Sequence, residues 1–278
     1  MQESRTPVDG VRRFEGETVL VTGSTRGIGE GIAKRFAREG ANVVVTGRTR
    51  ADGEETVAAI DAAGGTATFV RADMRDPDDI AALVEATAEE YGGLDVLVNN
   101  AGVETNTAAD EATMDDWAFV VETDFRSYWL CAKHTREHMD EGSIVNVSSN
   151  HARLTMPAMF PYNAVKAGVD GMTRSMALDF GPDVRVNTVN PGWVAIDRTM
   201  EEMDEEYRDH LESIHPVGRI GTPEDVAGVV SFLASSDAAF VTGASLVADG
   251  GRTAVMQDDS LPDYRGRRED DEDRGRSE

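Results

Sequence analysis

A tyrosine and a lysine four residues apart, in Tyr162-Asn163-Ala164-Val165-Lys166, are the residues of this chain best suited to moving a proton. On a helix, positions i and i+4 share a face. The Lys166 ammonium would then sit beside the Tyr162 phenol, favour its ionised form and lower its pKa. A phenol tuned in that way can exchange a proton with an alcohol or carbonyl oxygen near neutral pH. Taken alone, the pair is as compatible with ordinary helix packing as with catalysis. It has company in Ser149, thirteen residues earlier, which closes the run Ser143-Ile144-Val145-Asn146-Val147-Ser148. The carboxyl end of a buried strand is where parallel sheets bind ligands. A hydroxyl placed there can hold an oxygen whose charge changes during a reaction.

A second constellation stands near the amino end: Val19-Leu20-Val21-Thr22-Gly23-Ser24-Thr25-Arg26-Gly27-Ile28-Gly29. It reads as a strand, a glycine-rich turn and a helix start. Gly23 permits the tight turn, Gly27 lets backbone approach a pyrophosphate, and Gly29 allows the helix to pack closely on the strand. The helix end beyond the turn offers N–H groups and a positive dipole end to phosphates. Gly23, Thr25, Arg26, Gly27, Ile28 and Gly29 are therefore the candidate cradle of a dinucleotide. The next strand ends in Gly47-Arg48, where folds that select NAD carry an acid for the ribose 2′-hydroxyl. Arg26 and Arg48 instead suit a 2′-phosphate, which guanidinium groups grip well. The expected cofactor is NADP(H), with NAD(H) possible; the plainer reading is two solvated surface arginines.

These residues need elements to hold them. Valine-rich runs at 18–22, 42–46, 66–71, 94–98, 143–147, 185–189 and 245–248 alternate with helical periodicity at 29–39, 53–63, 78–91, 117–139, 164–180 and 223–234. Continuous apolar strands separated by helices predict an α/β fold: a doubly wound, three-layer Rossmann-type architecture with a parallel sheet of about seven strands. A single domain spans 16–256, after an amino-terminal extension over 1–15. Within it, 194–216 reads as a helical insertion, a candidate substrate lid. The densely charged tail, 257–278, is expected to be disordered.

Bulk composition excludes some partners. The 278 residues carry a net charge of −25, which repels nucleic acid and anionic membranes. Lysine supplies only three of the 27 basic residues, at 34, 133 and 166. Acid excess with scarce lysine resembles the cytoplasmic proteins of extreme halophiles, and implies folding that improves in salt. The lone Cys131 lies in an apolar helical stretch and suits core packing. There is no metal-ligand cluster and no run long enough to span a membrane. Residues 1–13 are polar and lack an apolar signal region, so a soluble cytoplasmic protein is expected.

Taken together, Thr22-Gly23-x-x-x-Gly27-x-Gly29, Asp73, Asn99-Asn100-Ala101-Gly102, Ser149, Tyr162-x-x-x-Lys166, Pro191-Gly192 and Asp249-Gly250-Gly251 make the chain resemble a compact short-chain dehydrogenase/reductase from about residue 16 to 251. The resemblance implies an oxidoreductase that moves a hydride between NAD(P)(H) and a secondary alcohol or carbonyl. It implies Tyr162 as acid/base, Ser149 as the holder of the substrate oxygen, and Lys166 on the nicotinamide ribose. It further implies Asp73 and Met74 beside the adenine, Asn100 with Ala101 and Gly102 along the adenosine ribose, and Pro191, Gly192 and the Val194 backbone toward the carboxamide.

Two positions depart from the family pattern. Asp124 stands where the family has an asparagine whose backbone carbonyl holds a relay water, which makes Asp124 a fourth candidate catalytic residue. Ile196 replaces a threonine that touches the carboxamide. The segments around Val103-Glu104 and Ser149-Asn150-His151 resemble bacterial glucose 1-dehydrogenases, with 3-oxoacyl-carrier-protein reductases nearly as close. His151, Met156, Met159, Phe160 and Trp193 are expected to border the pocket. A homotetramer through the fourth and fifth long helices is implied. The competing reading is a catalytically silent dinucleotide sensor or scaffold on the same fold.

Overall fold

The computed structural model describes residues 12–196, 200 and 203–255. At its centre lie seven strands: β1 (Thr18–Val21), β2 (Asn42–Gly47), β3 (Thr66–Arg71), β4 (Val96–Asn99), β5 (Gly142–Val147), β6 (Val184–Pro191) and β7 (Ser245–Ala248). All pair in parallel, in the order β3-β2-β1-β4-β5-β6-β7. The order reverses between β1 and β4, so a crevice opens beyond their carboxyl ends at this switch point.

The valine-rich runs follow from having helices on both faces. Successive strand residues point to opposite sides. Val19, Val21, Val43 and Val45 join one buried cluster, with α1 (Gly27–Arg38) above them, while Leu20 and Val44 join the other. The remaining helices are α2 (Arg50–Ala62), α3 (Pro77–Tyr91), α4 (Met114–Val121), α5 (Ser127–Thr135), α6 (Tyr162–Phe180), α7 (Glu205–Ile214) and α8 (Pro223–Ala234). Helix α8 packs with α1 on the first cluster; α3, α5 and α6 cover the second.

The doubly wound sheet is as expected, but one long helix is not. The stretch 117–139 is built as α4, a π turn over Glu122–Arg126, α5 and a 3₁₀ turn over Arg136–His138. Its start moves forward because Thr113 and Asp116 close a reciprocal capping box. The π turn accommodates one extra residue inside the helix and re-aims the side chains around it. Helix α6 starts at Tyr162, two residues before the expected point. Phe14, assigned to the amino-terminal extension, is buried edge-on against Phe36. Helix α7 lies within the expected insertion. The charged tail at 257–278 and residues 1–11 lie outside the described residues. Among the described residues no helix is long and apolar enough to cross a membrane.

Candidate active site

Ser149 follows β5 at the carboxyl edge of the sheet, and Tyr162 opens α6. The loop between them is tied to the segment after β4. Phe160 N–H donates to the Thr107 carbonyl at 3.2 Å, and the Thr105 hydroxyl donates to the Phe160 carbonyl at 3.0 Å. These bonds hold the loop that leads from Ser149 to Tyr162, and the Ser149 hydroxyl is near enough to favour the ionised phenol. The Ser149 oxygen also accepts the His151 N–H at 3.1 Å, and the His151 ring stands edge-on to Tyr162 with centres 6.1 Å apart.

Lys166 lies one turn along α6 and is almost fully enclosed. Its Nζ is 2.9 Å from Asp124 Oδ2, donates to the Val147 carbonyl at 3.2 Å, and lies 3.5 Å from the Tyr128 hydroxyl. Nζ stands 5.5 Å from the centre of the Tyr162 ring. Asp124, inside the π turn, has no exposed surface, and its Oδ1 accepts the Val103 N–H at 2.8 Å. Tyr128, fully buried, donates to the Val147 carbonyl at 3.0 Å.

The electrostatics differ from the sequence expectation. Burial raises the Tyr162 pKa and outweighs the Lys166 charge and the Ser149 hydrogen bond that lower it; the Asp124 and Glu104 charges raise it further. For Lys166, burial alone would favour the neutral form. The Asp124 carboxylate and the two phenols reverse that, and its pKa is raised. Burial also lifts the Asp124 carboxyl, against the pull of Lys166 and the Val103 N–H. Spacing within one helix could not reveal that Lys166 has a second claimant. Tyr128 and the Val103 N–H went unseen as well, although Tyr128 stands four residues after Asp124.

The glycine turn lies across the switch point. Gly23 and Gly27 both adopt positive φ, 62° and 58°. At Gly29 the approach is so close that a Cβ would run into the Gly23 carbonyl and the Asn100 side chain. Asn100 Nδ2 donates to the Thr22 and Gly23 carbonyls at 3.0 and 3.1 Å, and Ala101 N–H donates to the Thr22 hydroxyl at 3.0 Å. Helix α1 begins at Gly27 with no side-chain cap from Arg26, so its end suits an anion. Ile28 packs inward against the core.

Around this turn lie the remaining candidates. A Cβ on Gly47 would come within 2.7 Å of the Thr25 methyl, which leaves little room for the acid that would mark an NAD site. Arg26 and Arg48 are exposed beside it. The Arg75 guanidinium holds the Asp73 carboxyl down to about 2, with help from Arg48. Met74 is buried beneath. Pro191 ends β6, and Gly192 packs against Asp249. Val194 pairs with Gly221, and Ile196 sits over Gly27, where a Cβ would meet it at 3.3 Å. These residues fit a dinucleotide. Among the described residues no group of three or more side chains could hold a metal.

A glycine turn and an open helix end at the switch point of a parallel sheet, with a phenol and an ammonium across the crevice, define a dinucleotide-dependent oxidoreductase architecture. The chain belongs to the short-chain dehydrogenase/reductase family, whose members use NAD(P) and act on CH–OH groups. A family model described as enoyl-(acyl carrier protein) reductase matches residues 23–253. The chain is 38% identical to 3beta-hydroxysteroid dehydrogenase 1 of Eggerthella lenta, across 86% of this chain and 95% of that one. It is 39% identical to cis-4-hydroxycyclohexanecarboxylate dehydrogenase of Sinomonas cyclohexanicum, across 87% and 98%. It is 36% identical to glucose 1-dehydrogenase 2 of Bacillus subtilis, across 86% and 95%. Among solved structures, a short-chain dehydrogenase/reductase from Serratia marcescens superposes with a TM-score of 0.82 at 35% identity, covering 87% of this chain and 99% of that one.

Proposed function

We propose that this protein interconverts a small secondary alcohol, carried on a ring, with its ketone, and that it prefers NADP(H) over NAD(H). The convergence of Tyr162, Ser149 and Lys166 on one crevice carries the reading. Tyr162 passes the proton to or from the substrate oxygen, and Ser149 holds that oxygen through its hydroxyl. Lys166 supplies the nearby positive charge. The bound nicotinamide supplies or accepts the hydride. Ser149, Tyr162 and Lys166 are all present, which speaks against a silent sensor on this fold.

The ring-alcohol class is supported by the named substrates of the steroid, cyclohexanecarboxylate and glucose dehydrogenases among the relatives. A sugar fits the same reading, with Glu104 and His151 at the mouth; a 3-oxoacyl chain is the alternative. Helix α7 serves as the substrate lid. Tyr207 on it meets Trp193, which follows Gly192, edge-on at 6.0 Å. The cofactor preference rests on Arg26 and Arg48 and on the crowding at Gly47. A homotetramer is supported by Trp129 on α5 and Leu178 on α6, both exposed. The acidic surface suits a salt-rich cytoplasm.

The test is a panel of cyclic secondary alcohols and ketones, in both directions with both cofactors, on the parent protein and on Tyr162→Phe. The variant is expected to lose about 10²- to 10⁴-fold in turnover on an active substrate while still binding cofactor. Turnover within tenfold of the parent would overturn the assignment of Tyr162.

A further inference from the structure

We propose that Asp124 is a positioning residue whose carboxylate claims the Lys166 ammonium, weakens the action of that charge on Tyr162, and moves the working pH of the site toward alkali. The inference rests on Tyr162 being the proton-transfer group. Three observations carry it. Asp124 Oδ2 lies 2.9 Å from Lys166 Nζ, whereas Nζ is 5.5 Å from the centre of the Tyr162 ring. Neither partner of the pair is appreciably exposed, so water does not screen it. The carboxylate is itself fixed, because Oδ1 takes the Val103 N–H at 2.8 Å and the π turn aims it inward.

Gly102 belongs to the same arrangement. A Cβ there would stand 2.9 Å from Asp124 Oδ2 and 3.5 Å from Lys166 Nζ. The glycine therefore makes the space in which the two charges meet.

The physics is a change from monopole to dipole. A lone ammonium near a phenol stabilises the phenolate through a potential that falls as 1/r. An ammonium paired with a carboxylate presents a dipole, whose potential falls faster, and the carboxylate adds its own repulsion. The groups facing Tyr162 are Lys166 on its own helix, Ser149 and His151 after β5, Glu104 after β4 and Asp124 in the π turn. Those facing Lys166 are Asp124, Tyr128, Tyr162 and the Val147 carbonyl. Among the described residues, Asp124 is the acidic group that touches the ammonium; the Lys166 charge and the Val103 N–H hold it ionised against the cost of burial. Alcohol oxidation needs the phenolate and rises with pH through the Tyr162 ionisation. Ketone reduction needs the phenol and falls there.

Asp124→Asn tests this with little change of shape. Oδ1 still accepts the Val103 N–H, but an N–H group now faces the ammonium and repels it. Tyr162 can be titrated in cofactor-free protein by its tyrosinate absorbance, taken as the difference between each protein and the same protein carrying Tyr162→Phe. The midpoint should fall by about one pH unit or more in Asp124→Asn. The rising limb of alcohol oxidation, with an alcohol active in the panel, should move down with it. A second variant, Asp124→Ser, removes the carboxylate without setting an amide N–H against the ammonium, and should shift in the same direction.

An unchanged or higher midpoint in folded Asp124→Asn would overturn the proposal. So would loss of turnover at every pH, which would make the carboxylate a proton carrier, or failure of both variants to fold, which would make it structural. Full turnover in Tyr162→Phe would instead overturn the assignment of Tyr162, and the absorbance titration would still report whether Asp124 controls that phenol.

Discussion

The two walls of the crevice are built from different materials. The wall at the glycine turn is backbone: two glycines at positive φ, a third pressed against the Gly23 carbonyl, and Asn100 and Thr22 tying the turn to β4. Among the described residues no buried charge takes part in it. The opposite wall is charge: a half-buried phenol above an ammonium and a carboxylate packed where water does not reach. Backbone placed by steric fit holds its shape at any pH and salt concentration. A buried ion pair is strong only while both partners stay ionised, and it costs desolvation to assemble. The steric wall should thus fail when atoms are added, and the charged wall when protons are moved.

Gly29→Ala should break the steric wall with the largest effect. The new methyl has to displace the Gly23 carbonyl or the Asn100 amide. Overpacking of this kind costs about 1–3 kcal/mol of stability. Moving the end of α1 away from a bound pyrophosphate also removes charge-assisted hydrogen bonds worth about 1.5–3 kcal/mol each, so the cofactor Kd should rise by about a hundredfold. A thermal melt and a cofactor titration by fluorescence measure the two effects. A Kd unchanged from the parent would show that cofactor binding does not depend on the close approach at Gly29.

Arg48→Asp leaves that wall standing and alters its rim. Exchanging a guanidinium for a carboxylate removes a grip on a 2′-phosphate and adds repulsion. The ratio of kcat/KM for NADP(H) over NAD(H) should fall by about tenfold or more. A constant ratio would show that Arg48 is a solvated surface charge.

The steric wall was largely legible in the sequence because it is made of residues whose type announces their use. Glycines at that spacing after an apolar run have few other reasons to be there. The strands were legible for a related cause: burial on both faces leaves a continuous valine signature, as in Val43-Val44-Val45. The charged wall was legible only in part. Tyr162 and Lys166 share a helix, so their proximity follows from spacing. Asp124 belongs to another element, and nothing in Glu122-Thr123-Asp124-Phe125-Arg126 distinguishes a π turn from an ordinary helix. The family pattern assigned that position a backbone role, and the structure shows its side chain engaged. The Val103 donor is a backbone group and has no side-chain signature to read.

The smallest effect separates a surface ion pair from the buried one. Asp73 lies within reach of the Arg48 charge, and Arg75 grips it through Nε at 3.0 Å, with the Arg75 N–H on the same carboxylate oxygen. Its pKa is held at about 2, below the ordinary 3.8, chiefly by the Arg75 side-chain hydrogen bond. A carboxylate whose folded-state pKa is depressed stabilises the protein above its unfolded-state value. That contribution is lost as pH falls from about 4 toward 2. Because the pair is partly exposed, with 20% and 41% of the two side chains accessible, water and salt screen it. Its worth is therefore below about 1 kcal/mol. Asp73→Asn keeps an oxygen for the Arg75 N–H and removes only the charge. Urea unfolding at pH 7 should show the variant weaker by that small amount, and the gap should shrink in molar KCl and toward low pH. A gap that persists in molar salt would mean that Asp73 acts through its neutral contacts. The same salt should move the pH midpoint of Tyr162 little through the Asp124–Lys166 pair, because that pair lies out of reach of ions.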